Sequence, residues 1–228
     1  MIVLVHLRHS SHNPSHRSTK GGNAMTSKNK RSLESILGLV LALTFVVAFM
    51  APGSAQGGLA LGQNVRWDLV QVLPAGSPTT GIPGGTNTGR DAATGDTIAL
   101  TGSGGAIPAL GKATGGGTFV HRTSGGSVFA EGFYVVTGFV SWQRRPGTFP
   151  LPNDGVGDIS QAAAGLLTLN IRAFSSVGSP IDGVLVIHCH FPDTPGPNDE
   201  GIELTATAGG TSFHFTQTGG ATLFHVFR

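Results

Sequence analysis

In the segment LLTLNIRAF (166–174), Leu167, Leu169, Ile171 and Ala173 fall on one side of an extended backbone, and Thr168, Asn170 and Arg172 fall on the other. A helix with 3.6 residues per turn would scatter these apolar side chains around its circumference. A half-buried antiparallel strand collects them on one face. The alternation recurs in IELTATA (202–208), where Ile202, Leu204, Ala206 and Ala208 oppose Glu203, Thr205 and Thr207. It recurs again in SFHFTQ, with Phe213 and Phe215 on one face and His214 and Thr216 on the other. NVRWDLVQV, DTIALTG, GTFVHR, FAEGFYVVTGFVSW, IDGVLVIHCHF and ATLFHVFR follow it less regularly. The expected fold class is all-β: a single antiparallel β-sandwich or β-barrel domain.

Turn chemistry fits between these runs. Gly209-Gly210 and Gly219-Gly220 supply the positive φ angles of tight hairpins, so 201–228 is expected to form a three-stranded meander. Gly132 and Gly138 interrupt the longest run and predict bulges or bends. The Gly/Pro/Thr-rich stretch 74–96 carries few apolar residues and is expected to be a long surface loop. Segments 144–158 and 192–201 also look like long loops, with one turn of helix expected within 158–165.

The amino-terminal region reads as an address. From Met25, a basic stretch with Lys28, Lys30 and Arg31 leads into an apolar run from Ile36 to Ala51 and then the small residues Gly53, Ser54 and Ala55. That order is the pattern of a secretory signal peptide over 25–55, cut after Ala55, and the run is shorter than the roughly 20 residues that span a bilayer. Residues 1–24 precede this internal start and are expected to be upstream sequence without function. A single β domain over 56–228 follows, exported to the cell envelope or beyond, with no stable membrane span after cleavage.

Removing 1–55 inverts the charge. That part holds six of the 14 lysines and arginines and one of the 12 acidic residues, so the remainder has a formal charge of −3. Only Arg144-Arg145 is a basic pair there, too little for a nucleic-acid partner.

The segment GVLVIHCHFPD (183–193) holds the only cysteine, Cys189, between His188 and His190. On a strand the two imidazoles share a face and can reach one metal ion, while the thiol points the other way. This makes His188 and His190 candidate zinc or copper ligands, with a third from His121, His214 or His225, all on expected strands. The ordinary alternative is that the histidines lie on a solvated sheet face and Cys189 is a small buried hydrophobe.

The string HCHF resembles the HCHI segment of multicopper oxidases. However, HCHFPDTPGPNDEG adds no further His, Cys or Met, and no second His-x-His pair occurs in the chain. The oxygen-rich strings at Asn153, Asp154 and Asp158 and at Asn198, Asp199 and Glu200 lack calcium-loop spacing and read as turn formers.

No nucleophile elbow, zinc-protease helix or phosphate loop is present; the glycine runs TGSGGAI and ATGGGTF lie between strands. Trp67, Trp142 and Tyr134 read as core rather than a sugar platform.

The ordered set VRWDLVQV, GDTIALTGSG, ATGGGTF, VTGFVSW, GVLVIHCHFPD, NDEGIEL and ATLFHVF resembles a group of exported bacterial β-rich proteins with no assigned activity. That resemblance implies one exported β domain and transfers no site residue. The leading expectation is a secreted, non-enzymatic β domain with a structural or binding role. The alternatives are a metal-binding protein using His188 and His190, and a polysaccharide hydrolase using loop carboxylates such as Asp154 and Asp199.

Overall fold

A computed structural model describes residues 62–74, 77, 81–150, 152–197 and 199–228. The segments read as upstream sequence and signal peptide lie outside them. The described chain is all-β, as the alternation requires. Its strands are β1 (Asn64–Val72), β2 (Gly81–Pro83), β3 (Asn87–Asp91), β4 (Thr97–Leu100), β5 (Ser103–Ile107), β6 (Lys112–Arg122), β7 (Val128–Arg145), β8 (Ala162–Ser175), β9 (Ile181–Cys189), β10 (Gly201–Ala208), β11 (Thr211–Gly219) and β12 (Ala221–Phe227). Two single turns of 3-10 helix, Pro108–Leu110 and Ile159–Gln161, interrupt them, the second where one helical turn was expected. No helix among the described residues is long and apolar enough to cross a membrane.

All strands join one antiparallel sheet in the order β12-β1-β5-β6-β4-β3-β11-β10-β9-β8-β7, with β2 beside β1, and the added pairings β6–β7 and β12–β8 close it into a ring. The closure works because several strands change partner along their length. β4 and β5 form one arm of a long hairpin with β6, in a single register from Thr97↔Arg122 to Ile107↔Lys112. The other edge of that arm takes β3 along β4 and β1 along β5. β8 likewise takes β9 along most of its length and β12 at Ala162 and Ala163. The pairings therefore trace two circuits. Eight strands (β6, β4, β3, β11, β10, β9, β8, β7) close one, six (β12, β1, β5, β6, β7, β8) close the other, and β6, β7 and β8 belong to both.

The core lies within these circuits. Val65, Trp67 and Leu69 of β1, Leu167, Leu169 and Ile171 of β8, and Leu185, Ile187 and Cys189 of β9 are buried at alternate positions. Trp67 and Tyr134 are fully enclosed, and Trp142 packs edge-on against Phe224 with centroids 4.7 Å apart. The aromatics are thus core. The glycine runs are explained by the same packing. A side chain at Gly104 or Gly115 would meet Trp67, and one at Gly102 would meet the Tyr134 ring. Close approach to bulky rings, not phosphate binding, is what those glycines permit.

Three expectations need correction. The stretch 74–96 is not one long loop: β2 pairs β1, and β3 sits between β4 and β11. Polar side chains hold β3 in place of an apolar face. Asn87 is buried and donates from Nδ2 to the Ala221 carbonyl (2.9 Å), and Asp91 accepts from the His214 amide (2.6 Å) and from the Ala93 and Thr94 amides. The expected meander over 201–228 also stops after one hairpin. β10 and β11 pair as expected, but at Gly220 (φ +104°) the chain turns away, and β12 pairs β1 and β8. Finally, of the two glycines in β7, only Gly138 lies at a register shift; Gly132 admits the Phe174 carbonyl and Ser175 backbone close by.

Candidate functional site

Four hairpin turns surround one opening of the eight-strand circuit: 92–96, 123–127, 176–180 and 209–210. Behind them lies a cavity of about 720 Å³. Its inner wall comprises Ile98, Leu100, Phe119, Ile171, Leu204 and Phe215; Phe129, Val177 and Phe213 lie nearer the turns. No Lys, Arg, Asp or Glu lines it. The volume and the apolar lining match those of small-molecule pockets in proteins. Period-two alternation explains the lining, because the inward face of each strand is its apolar one.

One polar ring interrupts this wall. His121, on β6, is 7% exposed, and its Nε2 lies 2.9 Å from Asp96 Oδ2 in the β3–β4 turn. Asp96 Oδ1 also accepts from the Ser124 amide at 2.9 Å, tying the β6–β7 turn to the β3–β4 turn. A carboxylate only accepts, so Nε2 carries a proton, and in the neutral imidazole Nδ1 then keeps the lone pair. Phe129, Phe213 and Phe215 meet the imidazole edge-on, with centroids 5.0, 5.0 and 5.3 Å away. Other hydroxyls of the wall are engaged locally: the Tyr134 hydroxyl donates to the Thr101 carbonyl (2.9 Å), Ser175 Oγ donates to the Val177 carbonyl, and Thr207 Oγ1 lies 3.1 Å from Ser212 Oγ, while Ser179 sits in the β8–β9 turn at the mouth. Burial pushes the pKa of the Tyr134 phenol well above its usual value, so it stays neutral.

The residues expected to form a metal centre are dispersed. His188 is on β9, where its Nε2 lies 3.6 Å from Glu203 Oε1, and burial lowers its pKa against the pull of Glu203 and Asp199. β9 ends at Cys189, so His190 lies just past the strand, with its amide donating to Glu200 Oε2 at 2.6 Å. Each proposed third ligand is engaged elsewhere: His121 with Asp96, His214 Nδ1 with Thr205 Oγ1 (2.9 Å), and His225 Nε2 with Asp154 Oδ2 (2.8 Å). Among the described residues, no three His, Cys, Asp or Glu side chains gather in a way that could hold a metal ion. Cys189 does share the buried face of Leu185 and Ile187, as the alternation requires, and its thiol donates to the Thr222 carbonyl.

Two of the loop carboxylates, Asp154 and Asp158, hold their own segments in place. Asp154 is 1% exposed; its Oδ1 accepts the Val156 and Gly157 amides at 2.7 and 3.0 Å, and its Oδ2 faces His225. Burial opposes its ionisation, but these amides and the imidazole outweigh burial and hold its pKa below the usual carboxylate value. This leaves it no oxygen for a sugar substrate. Asp158 caps the Ile159–Gln161 turn by accepting the Ser160 amide.

Glu200 is the group that sequence reasoning missed. It accepts from the amides of His190 and Thr222, each at 2.6 Å, and so clamps the 190–200 loop to β12. Burial raises its pKa to about 7, against those hydrogen bonds. The folded value exceeds the unfolded one of about 4.5, so the native state holds this proton more tightly. The resulting stabilisation is full below the unfolded value and is lost as pH rises through about 7. From pH 5 to 8 the wild type is expected to lose about 2–3 kcal/mol relative to Glu200→Gln in urea-unfolding series. A difference that stays flat with pH would show that the carboxyl is not perturbed.

No family model, curated protein or solved structure matches this chain.

Proposed function

We propose that this chain is an exported, non-enzymatic β domain that binds a small apolar molecule in the cavity of its eight-strand circuit. The cavity carries the reading: about 720 Å³ of apolar space without a charged lining residue is costly to leave unfilled in a packed core, and it suits a ligand of matching chemistry. The missing nucleophile, phosphate-loop and metal-protease patterns favour binding over catalysis. The pattern over 25–55 supports export. It fits a task of holding apolar molecules in an aqueous space outside the cytoplasm.

Nile red, a neutral apolar dye whose emission rises and shifts to the blue in dry surroundings, tests the cavity directly. The purified protein is expected to take up the dye with saturable binding. Ala206→Trp, which fills the cavity from β10, should weaken that binding at least tenfold while the urea midpoint changes little. Lack of uptake by the wild type, or equal uptake by the filled variant, would overturn the assignment.

A further inference from the structure

We infer that the cavity's ligand is a neutral, largely apolar alcohol or phenol whose hydroxyl donates a hydrogen bond to Nδ1 of His121. This rests on the cavity reading above and adds the chemistry of its one specific polar contact.

Nε2 of His121 is committed to Asp96, which makes Nδ1 the acceptor of the neutral imidazole. No hydrogen bond to that Nδ1 occurs among the described residues, whereas the Tyr134 and Ser175 hydroxyls already donate to backbone carbonyls. Three phenyl rings meet the imidazole edge-on, and the residue is 7% exposed. An acceptor so enclosed gains from a donor on the ligand and suffers when the ligand fills the space without one.

Charge decides between ligand classes. A carboxylate head would enter a wall with no Lys or Arg, next to an imidazole that already faces the Asp96 carboxylate. Burying that anion without a committed cation is unfavourable. An ammonium head would offer donors but would find no carboxylate on the lining. A hydroxyl supplies the donor with no charge to desolvate, and the apolar wall takes the rest of the molecule.

Displacement of Nile red by 1-decanol, its methyl ether and decanoate at pH 8 tests this. The three share a chain and differ in the head: a donor, an acceptor alone, or an anion. Decanol is expected to displace the dye at about five- to tenfold lower concentration than the other two, the usual worth of one neutral hydrogen bond. His121→Phe should bring alcohol and ether to equal potency in displacing whatever dye it binds. Dye uptake with equal displacement by alcohol and ether, or with decanoate preferred, would overturn this inference and leave the cavity reading intact. No dye uptake by the wild type would remove both. Should His121→Phe not fold, the wild-type comparison of alcohol with ether decides alone.

Discussion

Gly115→Ala is expected to cost about 3–5 kcal/mol, enough to unfold a large share of the molecules. Two effects combine at this residue. Its φ of +131° is a backbone conformation that side chains rarely adopt, so even a methyl group is strained there. The methyl would also sit against the Ser103 carbonyl, 2.7 Å from Gly104 Cα and 2.8 Å from Trp67 Cζ2. Trp67 cannot retreat, because it is fully buried, and the β5–β6 hairpin cannot open without breaking its register with β1. Gly105→Ala provides the control ten residues earlier. A methyl there meets only the Val65 carbonyl at 3.6 Å, an ordinary contact, so the midpoint should move by less than about 1 kcal/mol. Urea unfolding of both variants checks the contrast; equal effects would mean that the crowding at Trp67 is not what the glycine relieves.

Asp154→Ala is expected to cost about 3–5 kcal/mol, the usual result of removing a buried carboxylate on which several donors depend. The pair joins the segment covering β1 and β12 to the sheet: Asp154 and His225 are 1% and 2% exposed. The Asp154 carbonyl accepts the Gly81 amide, and Arg66 reaches the Val156 carbonyl at 3.1 Å. Without the carboxylate, the Val156 and Gly157 amides and the His225 Nε2 lose their partner together. His225 Nδ1 already has none, so the whole imidazole would be left buried and unsatisfied. Adding His225→Leu removes that stranded ring, so the double variant should be more stable than Asp154→Ala alone. A double variant as weak as the sum of the two single ones would refute the pairing as the source of the loss.

How much of this could be read from the chain depends on which force holds each element. β8, β10 and β11 are held by apolar faces, and their alternation marks both the strand and its inward side. β3 is held by buried Asn87 and by Asp91, which accepts backbone amides around it, and neither leaves a periodic trace. In sequence, NTGRD looks like loop because those residue types usually make turns. The wrong partner for β12 has a different cause. Gly219-Gly220 signals a change of direction but not which edge the next strand will find, and pairing with β1 depends on residues some 150 positions away.

The site was legible in part. The alternation correctly separated Cys189 from the histidines. It also drew attention to His188 and His190, while the residue that interrupts the cavity wall, His121, figured only as a possible third ligand. Its link to Asp96 spans 25 residues and one long hairpin, and no local motif records such a meeting. The four turns that frame the cavity were visible singly; only ring closure puts them at one opening.

That the two circuits share β6, β7 and β8 has an evolutionary consequence. The crowded aromatic packing around Trp67, Phe224 and Trp142 belongs to the narrower circuit, and the turns that frame the opening belong to the wider one. Mutations can therefore accumulate in the rim while selection for a foldable scaffold acts on the aromatic packing.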